Sequence, residues 1–370
     1  MQNPFTPLFG RIPAYLAGRE YLENEILDAL DNGPGDPSQT SLFVGARGTG
    51  KTAMLGYLAL KAQERSWIAI STTATPGMLE DILQQAARNT EHLLEQNSKK
   101  KVTGVSVNLA GFGAQVAWDT QSKTAPNWRT RITNLLDQLE EQNLGLLITV
   151  DEVDPKLDEM IQLITVYQHL VIEERKVALL MAGLPHKVSG LISSNSASFL
   201  RRASRKEMGN IPDYEVEQAF RITAEIGGKE FASDALATAV SHAMGFPYMM
   251  QLIGYRSWAS ASNAKTIKQE NVEQGIALAT ADMRERVLRS TLNELSDKDL
   301  AFCRAMLQDE NGSIPADIAK RLNTSSSSVS TYKRRLLDSG IILMVNRTRF
   351  DFALPLLREY LPEYLEDNEL

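Results

Sequence analysis

The most informative run in the chain is Gly45-Ala46-Arg47-Gly48-Thr49-Gly50-Lys51-Thr52. It has the G-x-x-x-x-G-K-[ST] spacing of a phosphate-binding loop, follows the apolar stretch 41–44 and precedes a helix pattern that starts at Ala53. Glycines allow main-chain N–H groups to close around phosphate oxygens at a helix N-terminus, where the helix dipole favours an anion. We predict that Lys51 reaches the β- and γ-phosphates of a nucleotide and that the Thr52 hydroxyl binds Mg²⁺.

A second diagnostic element follows about a hundred residues later, where the apolar run 144–150 ends in Asp151 and Glu152. Such a run predicts a buried strand, and ligands bind at the carboxyl ends of parallel strands. We expect Asp151 to hold the Mg²⁺ shell and Glu152 to polarise the attacking water as general base. The alternative is that both carboxylates cap the next helix.

Composition narrows the class of protein. With 370 residues and 43% hydrophobic content, the chain can form two to three packed domains. It contains no signal-like segment and no membrane-length apolar run, so we expect a cytoplasmic protein without a membrane partner. The single cysteine, Cys303, excludes an intrachain disulfide or a cysteine zinc site and suits a buried position. The net charge of −7 requires any nucleic-acid contact to come from a local basic patch.

The alternation of strands and helices predicts the fold class: an α/β parallel sheet with helices on both faces, as in P-loop NTPases. We predict a nucleotide-binding α/β domain over 1–212, with an inserted β-hairpin at about 102–118. An all-helical lid domain follows over 213–289. Residues 290–370 form a C-terminal domain with helix-turn-helix spacing and a β-hairpin wing, typical of a winged helix.

The C-terminal domain reverses the sign of the chain's charge. Seven basic residues and one acidic residue lie between Lys320 and Arg349. A helix that begins with serines and continues into a basic triplet suits entry into a DNA groove with phosphate contacts. The predicted DNA-contacting residues are Ser326, Ser327, Ser330, Lys333, Arg334, Arg335, Arg347 and Arg349. The alternative is a winged helix that contacts protein and carries a solvated basic face.

The order of these elements resembles an AAA+ ATPase of the origin-recognition and archaeal initiator type, with features of the STAND ATPases. The resemblance implies ATP and Mg²⁺ as cofactors, double-stranded DNA as a partner, and an ATP-dependent homo-oligomer or a partner protein. By the same resemblance Gly18-Arg19-Glu20 matches a motif near the adenine, so Ile12, Pro13 and Arg19 line the base pocket. Gly245-Phe246-Pro247 resembles the STAND GxP signature, which places Pro247 near the adenine.

Two departures from the family pattern predict slow hydrolysis. The fourth sheet strand ends in the apolar run 181–183, where the family has a polar sensor, and only His186 lies close. The lid reads Gly245-Phe246-Pro247-Tyr248 where many AAA+ proteins have Gly-x-x-Arg. The family's arginine finger, which acts on a neighbouring subunit, has three candidates, Arg201, Arg202 and Arg205. Each of them suits a structural salt bridge equally well.

Two functions follow as hypotheses. The first is an ATP-hydrolysing AAA+ protein that binds DNA through its winged helix and assembles in a nucleotide-dependent way. The second is a nucleotide-gated switch with slow hydrolysis, whose winged helix docks a protein partner.

Overall fold

The structure, a computed structural model, describes residues 2–8, 10–100 and 127–368. The β-hairpin predicted at about 102–118 lies outside the described residues. None of the helices in these ranges combines the length and apolar character needed to cross a membrane.

The centre of the fold is a five-stranded parallel sheet with the strand order β2-β3-β4-β1-β5. Its strands are β1 (Thr40–Val44), β2 (Trp67–Thr73), β3 (Gly145–Asp151), β4 (Val177–Gly183) and β5 (Ser204–Glu207). Val44 of β1 is level with Gly183 of β4, and Val150 of β3 is level with Met181 of β4. The carboxyl ends of β1 and β3 therefore meet at one edge of the sheet, on either side of β4.

Helices cover both faces of this sheet, which confirms the predicted α/β P-loop NTPase class. They are α1 (Glu20–Asn32), α2 (Lys51–Gln63), α3 (Met78–Lys100), α4 (Trp128–Glu141), α5 (Asp158–Ile172) and α6 (Pro185–Ser193). On one face α1 and α2 pack on Phe43 and its neighbours, while α3 to α6 pack on Leu42 and Val44 on the other. Because both faces are buried, the central strands are continuous apolar runs.

The lid follows β5 and is built mainly from α7 (Asp213–Ile226), α8 (Ser233–Ala243), α9 (Pro247–Ser260) and α10 (Gln269–Met283). The prediction that it is all helical is wrong in one detail, because β6 (Glu230–Phe231) and β7 (Thr266–Ile267) pair in parallel. These strands have two residues each, too few to produce an alternating pattern. A π-helical turn over Arg284–Leu288 and the short α11 (Arg289–Asn293) form the linker to the last part of the chain.

The C-terminal module contains α12 (Asp297–Met306), α13 (Pro315–Arg321), α14 (Ser326–Asp338), the antiparallel pair β8 (Ile342–Met344) and β9 (Phe350–Phe352), and α15 (Leu357–Asp367). Ser296 and Asp299 form a capping box at the start of α12. The lid and this module share one hydrophobic core. Cys303 is buried in it, as expected, and burial raises the pKa of its thiol to about 12.

Candidate functional site

The predicted phosphate-binding loop joins β1 to α2, and Lys51 is the first residue of that helix. Lys51 is buried, and its Nζ donates hydrogen bonds to the carbonyl oxygens of Gly45 (3.0 Å) and Ala46 (2.8 Å). Burial lowers the pKa of the ammonium, while the nearby carboxylates of Glu152 and Asp151 act in the opposite direction. The Lys51 ammonium is therefore held inside the loop by main-chain oxygens of the loop.

The lid packs directly on this loop. Gly48 has a φ of +80°, and a Cβ placed on it would lie 2.7 Å from the Phe246 ring, so only glycine fits there. Pro247 begins α9 beside Gly50. The G-F-P sequence thus meets the loop through Phe246 as well as Pro247.

The two motifs meet where β3 ends. The Thr52 hydroxyl donates to Asp151 Oδ2 at 2.5 Å, although the residues are 99 positions apart. Glu152 follows with a φ of +53°, and its main-chain N–H donates to Asp151 Oδ1 at 2.9 Å. A hydroxyl and a carboxylate are the oxygen ligands that Mg²⁺ prefers. Within the described ranges no cluster of three or more His, Cys, Asp or Glu side chains offers a different metal site.

A cavity of about 470 Å³ opens beside the loop, a size in the range of small-molecule sites. The N-terminal segment, the phosphate-binding loop, α9 and the linker enclose it. Pro13, Arg19, Glu152 and Pro247 line it, but Ile12 packs at 3.5 Å from where a Cβ on Gly56 would lie and is not part of the wall. Arg19 is buried, which lowers its pKa, and donates to the Gly209 carbonyl at 2.5 Å.

Several residues of the cavity wall have no motif in the sequence. Arg47 of the loop forms a two-pronged salt bridge with Glu294 at the end of the linker, with both N···O distances at 3.0 Å. Thr291 of α11 and Gln251 of α9 also line the cavity. Since Gln251 comes from the lid and Thr291 and Glu294 from the linker and its end, only the tertiary fold brings them to the loop.

The apolar end of β4 and the nearby His186 have contacts of their own. Gly183, the last residue of β4, packs closely on Val153. A Cβ on Gly183 would lie 2.6 Å from the Val153 side chain. His186 Nδ1 contacts the main-chain oxygen of Asp338, at the end of α14, so it is engaged with the C-terminal module. Gly340, just beyond, lies against the phosphate-binding loop: a Cβ on it would be 3.3 Å from Ala46 Cα.

The predicted DNA-contacting residues fall into two groups, according to whether the module itself binds their charge. All of them except Lys333 are exposed, but Lys333, Arg335 and Arg349 also contact other parts of the module.

Arg335 is the clearest of the held residues, because its Nε donates to Asp299 Oδ1 at 2.8 Å and Asp299 is nearly buried. Arg349 donates to the Gly312 carbonyl at 2.7 Å, and the Lys333 Nζ lies 5.7 Å from the centre of the Phe350 ring. The basic run is therefore partly structural.

The arginine-finger candidates lie together at the far end of the sheet. Arg201 and Arg202 end a 3₁₀ helix and are exposed, and Arg205 lies on β5. Arg205 pairs with Glu207 at 2.6 Å. None of the three lines the cavity.

Comparison with solved structures gives three similar proteins. A Walker-type ATPase of Pyrococcus abyssi is 13% identical, with a TM-score of 0.67 over 94% of this chain and 96% of that one. The ORC2 protein of Aeropyrum pernix, solved as ADPNP and ADP complexes, is 14% identical, with a TM-score of 0.60 over 98% of both chains. Cdc6p of Pyrobaculum aerophilum is 15% identical, with a TM-score of 0.50 over 98% and 97%.

These identities establish the fold and no more. The P-loop NTPase fold that the sequence predicts is thereby confirmed. A family model described as a domain of unknown function (DUF8462) matches residues 285–361, which comprise most of the linker and the C-terminal module. Comparison with curated protein sequences found no match.

Proposed function

We propose that this chain binds MgATP in the cavity and hydrolyses it. The observation that carries the proposal is the 2.5 Å contact between Thr52 and Asp151, because it joins two distant motifs at one point beside a buried lysine. The amides of Gly45–Thr52 would bind the phosphates, with Lys51 at the β- and γ-phosphates. Thr52 and Asp151 would hold Mg²⁺, which neutralises phosphate charge when it is bound.

Glu152 is the proposed general base. It lines the cavity and follows Asp151 directly, so its carboxylate belongs to the same wall as the loop. Its role would be to orient a water and accept its proton. Arg201, Arg202 and Arg205 lie outside the cavity, which suits an arginine finger supplied to a neighbouring copy in a nucleotide-dependent homo-oligomer.

We also propose that the C-terminal module is a winged helix that binds double-stranded DNA. The exposed serines Ser326, Ser327 and Ser330 occupy the first half of α14, the part that enters a groove in helix-turn-helix proteins. Arg334 and Arg347 supply exposed charge for phosphate contacts. Arg335 and Arg349 act in a different way, by fixing α14 and the hairpin within the module.

A second candidate function, the nucleotide-gated switch that docks a protein partner, is favoured by the contacts between the C-terminal part of the chain and the loop. Gly340 lies against Ala46, His186 holds the end of α14, and Glu294 pairs with Arg47. A change in the loop on exchange of nucleotide would act on all three contacts.

ATP turnover with and without duplex DNA separates the two functions. We expect the wild type to turn over ATP about 10²- to 10⁴-fold faster than Glu152→Gln, the usual contribution of a general base. Wild-type turnover no higher than that of Glu152→Gln would reject the hydrolase and favour the switch. A size measurement by light scattering with ADP and with a non-hydrolysable ATP analogue tests assembly, and identical masses would contradict the proposed finger in trans.

A further inference from the structure

A second cavity, of about 510 Å³, opens between the N-terminal segment, α9 and the end of α10. It adjoins the first cavity, since Thr6, Leu8, Arg11 and Arg286 line both. No residue of the phosphate-binding loop lines it, so it is separate from the proposed phosphate site. Its volume is in the range of sites for small molecules.

The charges in the wall of the second cavity are unbalanced. Three arginines line it, Arg11, Arg256 and Arg286, and among the described residues of its wall Asp282 is the one acid. Arg256 donates to Asp282 Oδ2 from Nε at 2.7 Å and from Nη2 at 2.5 Å. Arg286 Nε approaches Asp282 Oδ1 at 3.5 Å. One carboxylate therefore serves two guanidinium groups, and three positive charges against one negative charge leave the wall with a net charge of +2.

This excess of positive charge defines one part of a ligand. Cations gathered around a cleft repel one another and raise the local concentration of anions. Arg11 and Arg286 are exposed, so their charges lie on the solvent side of the cavity. A guanidinium group binds phosphate through two parallel N–H groups, which a point charge cannot do. An anion with two negative charges would neutralise the wall.

The inner part of the wall defines the rest of the ligand. Phe5 and Leu252 line it and are each 1% exposed. Pro7 and Leu8 add further apolar surface, and Tyr255 adds a ring. The cavity therefore suits a molecule with a compact apolar part and a doubly charged group at one end.

The two sides of the second cavity are fixed to each other. The Asn3 amide donates to the Tyr255 carbonyl of α9 at 3.0 Å. The main-chain N–H of Thr6 donates to Gln251 Oε1 at 2.8 Å. Phe5 fills the space beside Gly254, where a Cβ would lie 2.2 Å from its ring. Because the N-terminal segment is held on α9 in this way, little further ordering opposes binding of a ligand.

We propose that the second cavity binds a small phosphomonoester, a site that goes beyond the nucleotide binding proposed above. Arg11 and Arg286 bind the phosphate group, and the apolar wall contacts the organic part. A phosphomonoester carries a charge of about −1.5 to −2 at pH 7, which matches the charge of the wall. The phosphodiesters of a DNA backbone carry one charge each and match it less well.

The test uses the full chain and phenyl phosphate, titrated by calorimetry with saturating ADP and again in Lys51→Ala without nucleotide. We expect binding with a dissociation constant of about 1 mM or lower in both, and values within about twofold of each other. The second titration does not depend on nucleotide binding. A separate titration with ADP alone tests the nucleotide proposal, so the two failures are distinguishable.

Arg286→Gln and Arg11→Gln should each weaken binding of phenyl phosphate about fivefold or more, because each removes a charge-assisted contact. Arg289→Gln is the matched control. Its side chain is 55% exposed, as is that of Arg286, and it lines neither cavity. We expect its affinity to stay within about twofold of the wild type. Since all three side chains are exposed, we expect unchanged melting temperatures.

Methyl phenyl phosphate keeps the ring but carries one charge, so it should bind about fivefold or more weakly. Three results would overturn the inference: an equal loss in Arg289→Gln, equal affinities for phenyl phosphate and its methyl ester, or the absence of phenyl phosphate binding in both titrations. A loss of DNA affinity in Arg11→Gln and Arg286→Gln with unchanged phenyl phosphate binding would also overturn it, and would assign these arginines to a DNA interface.

Discussion

The phosphate-binding loop and the basic helix α14 both have strong sequence patterns, yet their residues are used very differently. In the loop region, Lys51 is buried and Thr52 contacts Asp151 at 2.5 Å. Along α14, Arg334 has a side chain that is 83% exposed and meets Asp338 only at 3.9 Å, whereas its neighbour Arg335, 50% exposed, is paired with the nearly buried Asp299. The motif residues of the loop region are therefore held close together. Along α14, the carboxylates that the fold brings near decide which arginine forms a salt bridge.

The largest effect is expected at the loop. Lys51→Ala removes a buried cation that would contact two phosphates, and each charge-assisted hydrogen bond is worth about 1.5–3 kcal/mol. We expect ATP affinity to fall by roughly 10²-fold or more, measured by titration calorimetry. Lys61→Ala is the control and should bind ATP normally, because Lys61 lies at the other end of α2 and pairs with Glu64 at 3.1 Å. If Lys51→Ala bound ATP as tightly as the wild type, Lys51 would contribute no more to nucleotide binding than a surface lysine.

Asp151→Asn tests the metal side of the same site. The amide can still contact the Thr52 hydroxyl but lacks the charge that holds the shell of a divalent cation. We expect the Mg²⁺ concentration for half-maximal turnover to rise by about 10- to 100-fold, as for other partners of a metal shell. A magnesium titration of turnover measures this, and an unchanged midpoint would contradict the role of Asp151.

Arg334 and Arg335 form a matched pair within α14. Arg335→Ala leaves the Asp299 carboxylate without its cation, so we expect a loss of about 1–3 kcal/mol in the free energy of unfolding. Arg334→Ala should cost less than about 0.5 kcal/mol, because its contact with Asp338 is long and exposed. Denaturant unfolding measures both. For DNA affinity we expect the reverse order, with the larger loss in Arg334→Ala. That variant should reduce the slope of log K against log[salt] by about one, the value for one lost phosphate contact. Equal stability of the two variants would refute the structural role of the Arg335 pair.

The smallest effect is expected at the salt bridge between the loop and the end of the linker. Arg47 and Glu294 are both substantially exposed, so their pair should contribute no more than about 1 kcal/mol. A double-mutant cycle of Arg47→Ala and Glu294→Ala, measured as unfolding with and without ADP, should give a coupling energy that differs between the two conditions. The same coupling energy in both would show that this bridge does not respond to nucleotide.

The sequence predicted the loop, the two carboxylates at the end of β3 and the parallel α/β class because each depends on local pattern. It gave no clear sign of β5 (Ser204–Glu207), a short edge strand in which only Lys206 is buried. The two-residue strands of the lid were missed for a similar reason, since neither has an apolar run.

Contacts between distant residues could not be predicted either. Arg335 and Asp299 are 36 positions apart, and Arg47 and Glu294 are 247 apart. Nothing in the local pattern around either arginine indicates which acid it will meet. The strand order, with β4 between β1 and β3, is likewise a property of the topology and not of any single segment.

Asp338 and Gly340, at the end of α14, lie against His186 and Ala46, so we propose that nucleotide at the loop changes the affinity of α14 for DNA. The most direct measurement is the affinity for a fluorescent DNA duplex at one salt concentration, with saturating ADP and then with a non-hydrolysable ATP analogue. We predict that the two dissociation constants differ by at least about fivefold, the lower range of allosteric coupling. Equal, measurable affinities in the two nucleotide states would contradict the claim.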